Sequence, residues 1–127
     1  MKTSPSQFHN FRLSLFAALS IALSGGVTAQ SMTDLGTLGG TSSQAYGVSA
    51  NGNVIVGLSD TTGGNAYAFK YVGTTMTSLG TLVGGSNSAA RAISANGNVI
   101  VGESDTTGGN THAFKYVGTT MTSLGTL

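Results

Sequence analysis

Cysteine is absent from the chain, so no disulfide can staple the fold and stability has to come from packing. The same absence excludes a lipid-anchored lipoprotein, whose processing site needs a cysteine. Charge is scarce: only 7% of residues are Asp, Glu, Lys or Arg. Past residue 29 there are Lys70, Arg91 and Lys115 against Asp34, Asp60, Glu103 and Asp105, a formal charge of −1. Those three cations make no basic patch to neutralise phosphates, so nucleic-acid binding has no electrostatic footing. The one proline, Pro5, precedes residue 30, and beyond that point histidine occurs only at His112. Such a composition can pass for disorder, but disorder goes with low hydrophobicity and high net charge. Here the apolar residues fall in regular short runs, which predicts folded β-structure.

What the chain does have is a long internal duplication. Ser49–Leu82 recurs at Ser94–Leu127, 45 residues on, with three differences: Leu58/Glu103, Ala66/Thr111 and Tyr67/His112. A fixed period of this size is the mark of a repeat architecture, in which each unit buries its apolar face against a neighbour. Any residue proposed as a unique reacting group must therefore account for its twin.

The first 29 residues are of another kind. Lys2 and Arg12 give a basic start, Leu13–Leu23 is an apolar run of 11, and Val27-Thr28-Ala29 ends in small residues before Gln30. That order predicts a secretory signal peptide over residues 1–29, cleaved between Ala29 and Gln30. The run is too short for a membrane span, which takes roughly 18–20 apolar residues. Secretion to the extracellular space is the expected address, with the periplasm or outer cell surface as the alternative.

Residues 30–127 read as an all-β repeat region. Asn51-Gly52 and Asn96-Gly97 each sit between β-prone runs, a hairpin signal that predicts a type I′ turn. Val54–Ser59 carries β-branched residues on both faces, which suits a sheet covered on both sides. Asp60–Asn65 reads as a loop begun by an Asx-turn. In Ala66–Tyr71 the alternation puts Tyr67, Phe69 and Tyr71 on one face and smaller residues on the other. Val72–Thr75 turns the chain into a short strand, Met76–Leu79.

Four short antiparallel strands in about 45 residues describe a β-propeller blade; a β-solenoid is the competing architecture. The repeats divide as 32–75, 76–120 and the start of a third at 121–127. Propellers close with about 4–8 blades, whereas about two are present. An incomplete product is the expectation, with ring closure by oligomerisation and a poorly folded relic as alternatives.

The phrase MTDLGTLGGTSSQAYGVSANGNVIVG, followed by HAFKYVGTTMTSLGTL, resembles the HAF-family extracellular repeat of bacterial exported proteins. The name-giving tripeptide is His112-Ala113-Phe114, which the first repeat replaces by Tyr67-Ala68-Phe69. Leu35–Gly40 matches the Leu-Gly-Thr-Leu-Gly-Gly phrase, and Leu79–Gly85 matches it around an inserted Val83. The resemblance spans 32–127. It implies secreted or surface-displayed, propeller-like repeats and brings no activity with it.

Candidate chemistry is thin. His112 could act as a base or metal ligand, but Tyr67 holds the twin position and an aromatic packing role explains both. Asp60 and Asp105 open identical DTTGGN loops that could offer oxygens to Ca²⁺, yet calcium takes six to eight oxygens and several carboxylates. Turn capping is the better account. A nucleophilic serine would need a base and an orienting acid, and a carboxylate pair could only be Glu103 with Asp105, where the first repeat has Leu58. The Gly39-Gly40, Gly63-Gly64 and Gly84-Gly85 pairs lack the lysine and helix of a phosphate loop. No catalytic, cofactor-binding or metal-ligating residue is therefore expected.

The function expected is an exported non-catalytic repeat protein, a surface or extracellular binding or structural module. The alternative is a fragment of a larger propeller enzyme, or of a surface-displayed passenger protein, whose site lies on other blades. Expected partners are an extracellular ligand, further repeats or a second copy of the chain, with no nucleic acid and no membrane span after the leader.

Overall fold

The turns decide how the strands pair. In this computed structural model, which describes residues 30–127, the strands run β1 Gly39–Val48, β2 Val54–Thr61, β3 Ala66–Val72 and β4 Thr75–Gly80. They are followed by β5 Ser88–Ile93, β6 Val99–Asp105, β7 Thr111–Val117 and β8 Thr120–Gly125. β1 to β4 form one antiparallel sheet in chain order and β5 to β8 a second. Among the described residues there is no helix, hence none long and apolar enough to cross a membrane. The expected leader, residues 1–29, with its cleavage site between Ala29 and Gln30, lies outside the described residues but for Gln30 itself.

The type I′ expectation for the Asn-Gly turns is overturned. Asn51 keeps a negative φ, and only Gly52 is positive, at 75°. Gly52 N donates to Ser49 O at 2.9 Å, and Ser49 N to Val54 O. A type I turn followed by a left-handed glycine satisfies both bonds, and longer hairpin loops are commonly built this way. Asn51 contributes by accepting from the Ser49 hydroxyl and from Asn53 N. The two-residue hairpin lies elsewhere, at Gly73-Thr74 between the paired residues Val72 and Thr75. Positive φ at Gly73 alone is the type II′ pattern, which needs glycine at that position.

The sheets are out of phase with the sequence repeats. Each sheet takes its fourth strand from the first residues of the following repeat: β4 begins one residue before Met76, and β8 one residue before Met121.

Residues paired across a ladder share a face. Ile55 faces out with Tyr71, and Gly57 with Phe69, on one side of the first sheet; Val56 and Lys70, with Leu58 and Ala68, lie on the other. The second sheet repeats this arrangement with Ile100, Tyr116, Gly102 and Phe114 on one side and Val101, Lys115, Glu103 and Ala113 on the other. The sheets pack face to face with β5 against β1, β2 and β3. Val56, Ala68 and Leu79 of the first sheet meet Ala90, Ile100 and Phe114 of the second, with Leu82 between them. Only one face of each sheet is covered by the other. Val56 is fully buried while its twin Val101 is 39% exposed, and Leu79 is 8% exposed against 58% for Leu124. The expectation that Val54–Ser59 is covered on both faces holds for β2, which has no exposed residue, whereas its twin β6 exposes Val101.

Buried serines tie the backbone together. The Ser59 hydroxyl accepts from Leu38 N at 2.9 Å, and its twin Ser104 accepts from Leu82 N at the same distance. Between the sheets, Ser88 Oγ accepts from Ala68 N at 2.8 Å and donates to Gly80 O. Ala68 sits at the β3–β4 register shift, where a ladder donor is left free. Ala50 N also donates to Ala95 O, at 3.0 Å. No buried side-chain polar atom among the described residues lacks a partner, as native-like packing requires.

Candidate functional site

Where β5 and β6 meet the first sheet they leave a groove of about 350 Å³. Its walls come from five strands: Leu58 and Ala66 on one side, and Arg91, Glu103, Asp105 and Thr111 among those on the other. Two of the three differences between the duplicated blocks, Leu58/Glu103 and Ala66/Thr111, therefore have both members lining this one groove.

Asp105 stands at the end of β6 and Asn87 just before β5. The Asp105 carboxylate accepts from Asn87 Nδ2 at 3.1 Å, from Ser86 Oγ at 3.4 Å and from Thr111 Oγ1 at 3.2 Å. Asn87 Oδ1 reaches across to accept from Ala66 N at 3.1 Å, so this residue bridges the two sheets. Asp60, the twin, accepts from Ser42 Oγ at 2.8 Å and from Thr41 Oγ1 at 3.4 Å. Both aspartates thus tie the start of the preceding strand. The loops they open are closed by threonine instead: Thr61 N and Oγ1 both donate to Asn65 O, and Thr106 does the same to Asn110 O. The expected Asx-turn is replaced by a threonine-closed loop because the carboxylate has nearer donors on β1 or ahead of β5.

The sequence marks Arg91 only as a charge, and the structure gives it three contacts. Its Nε donates to Glu103 Oε1 at 3.1 Å, and Nη2 donates to the same oxygen. The guanidinium lies 4.8 Å from the centre of the Tyr46 ring, on the first sheet. The Glu103 hydrogen bond raises the Arg91 pKa above its ordinary value, keeping the cation charged. Both side chains are about half exposed, so the pair orients the groove more than it stabilises the fold. A sequence signal did exist: Arg91 stands where the first repeat has Tyr46, and Glu103 where it has Leu58.

His112 projects from β7, where Ser104 is its partner across the ladder, and its Nδ1 lies 3.1 Å from Ser123 Oγ. Among the described residues its only side-chain hydrogen-bond partner is that hydroxyl. Among the described residues no group of three or more His, Asp or Glu side chains is placed to hold a metal ion. Glu103 and Asp105 do lie on one face, two residues apart on β6, but each is engaged by donors of its own sheet. What the arrangement can do chemically is bind: it offers a guanidinium, two carboxylates, an amide and hydroxyls at the edge of an apolar seam.

A comparison of the sequence with protein-family models finds no match, and a comparison with curated proteins finds none either.

Proposed function

We propose that this chain is an exported, non-catalytic repeat protein of the HAF extracellular type, acting as a surface or extracellular binding or structural module. In this reading the two sheets are successive propeller-like blades. The observation that carries it is the repetition of scaffold: same strand order, same ladder register, and the same serine lock at Ser59 and Ser104. Four-stranded antiparallel meanders stacked face to face suit a propeller, and such neighbours speak against a parallel solenoid. The groove beside Arg91 is the natural place for a ligand, since polar groups there converge on a partly apolar wall.

Export is tested by N-terminal sequencing of the protein recovered outside the cytoplasm, which should begin at Gln30. Recovery of the chain only from the cytoplasm, starting at Met1, would refute the reading. A second reading, a piece of a larger propeller enzyme, draws on the divergence of Glu103 and Thr111 from their twins. A hydrolytic activity of the purified protein that Glu103→Leu abolishes, while the fold persists, would favour it over the binding module.

A further inference from the structure

The chain carries both halves of its own sheet-to-sheet interface a second time, each on a face that no other sheet covers. The covered face of the first sheet presents Val56, Ala68 and Leu79. The outer face of the second presents their twins, Val101, Ala113 and Leu124, all exposed. On the opposite side, Ile100, Phe114 and Tyr116 pack against the first sheet. Their twins Ile55, Phe69 and Tyr71 lie together on the face of the first sheet that no other sheet covers, Ile55 and Tyr71 half-buried and Phe69 buried beside residues 32–35.

We propose that a second copy of this chain docks its first sheet onto the outer face of the second sheet, reproducing the intramolecular interface head to tail. The polar lock is also ready on both sides. Ala113 sits at the β7–β8 register shift, as Ala68 does in β3–β4, and Ala68 N is held by Ser88 across the interface. The residue in register with Ser88 is Ser43, whose hydroxyl donates to Gly36 O at 2.7 Å just as Ser88 donates to Gly80 O. The incoming Ser43 is thus held in the orientation that its twin uses.

One rearrangement accompanies docking. Leu35 lies beside Phe69 in the way that Leu79 packs with Phe114, so on the incoming copy it occupies the place that Leu124 of the receiving copy needs. Residues 32–36 form no strand, whereas β8 is laddered along its length to β7. The incoming segment is the one to yield. Because the two faces differ, the contact is heterologous and propagates from copy to copy. It depends on the sheet faces alone and stands whether or not the chain is exported.

Analytical ultracentrifugation of the purified protein over a range of concentrations is the test. The unmodified protein should exceed monomer mass increasingly with concentration. Ala113→Arg should be monomeric through loss of the receiving face, and Ile55→Lys through loss of the docking face. Should circular dichroism show Ile55→Lys unfolded, Met76→Lys alters the same face at its edge strand. The decisive sample mixes the two variants, since each retains the half that the other lost: a 1:1 mixture should form a dimer and go no further. A monomeric parent at every concentration would overturn the proposal, and so would a mixture that stays monomeric.

Discussion

Val56 and Val101 offer a measurement of tertiary packing with local sequence held nearly constant. Both sit in the second strand of a four-stranded sheet, each opposite a lysine on one side, Lys70 or Lys115. On the other side they face Gly47 and Ala92. Val56 is completely buried in the seam, and Val101 is 39% exposed on the outer face. Truncating valine to alanine removes two carbons, about 1.6 kcal/mol of transfer free energy when they are fully buried. The unfilled space at Val56 adds to this, giving about 2–3 kcal/mol. At Val101 the hole is open to water and the loss should be about 0.5 kcal/mol. Strand propensity largely cancels between the twins, because both occupy central strands with near-identical neighbours. Urea denaturation followed by circular dichroism, in protein dilute enough to sediment as a monomer, reads the difference. At a slope of about 1–2 kcal/mol per molar urea, Val56→Ala should lower the midpoint by about 1–2 M and Val101→Ala by a few tenths. Equal shifts, or a larger one for Val101→Ala, would refute the packing direction described for the two sheets.

Three further outcomes are expected. Ser88→Ala leaves the buried Ala68 N without its acceptor and should cost about 1–3 kcal/mol, whereas Ser43→Ala in the monomer should shift the same urea midpoint by less than half as much. Gly57→Ala puts a methyl 1.9 Å from Gln44 O and 2.9 Å from the Phe69 ring; neither can move without deforming the β1–β2 ladder, so a loss of about 3 kcal/mol is expected. Gly63→Ala, whose new methyl meets nothing nearer than 3.9 Å, is the control and should melt with the parent. His112→Tyr copies the first repeat at a site where, among the described residues, the ring meets only the Ser123 hydroxyl as a hydrogen-bonding side chain; thermal melts and any ligand binding should be unchanged, and loss of either would give His112 a role beyond packing.

The strands were legible from the chain because they rest on local rules. Period-two alternation in Ala66–Tyr71 assigned the aromatic face, β-branched residues marked β2, and glycine-bearing turns separated the strands. The Asn-Gly dipeptides located their hairpins but misstated the geometry, since glycine serves equally in a type I′ turn and after a type I turn. The candidate groove was not legible. Its Asp105, Asn87 and Arg91 are gathered by the β5–β6 ladder and meet Leu58, Ala66 and Tyr46 only when the two sheets stack, and the partners that fix them lie up to 45 residues away, as Tyr46 does from Arg91.

The sequence by itself determined that this protein is a duplicated all-β chain with few charges and no disulfide, because repetition, alternation and turn chemistry are written residue by residue. It could not say which member of each twin pair is buried. Val56 and Val101, Leu79 and Leu124, Ala68 and Ala113 have nearly the same neighbours in the chain and so nearly the same local preferences. They differ only in what lies across the sheet face, and that is decided by the one-sided stacking of the two sheets, which no window of sequence contains.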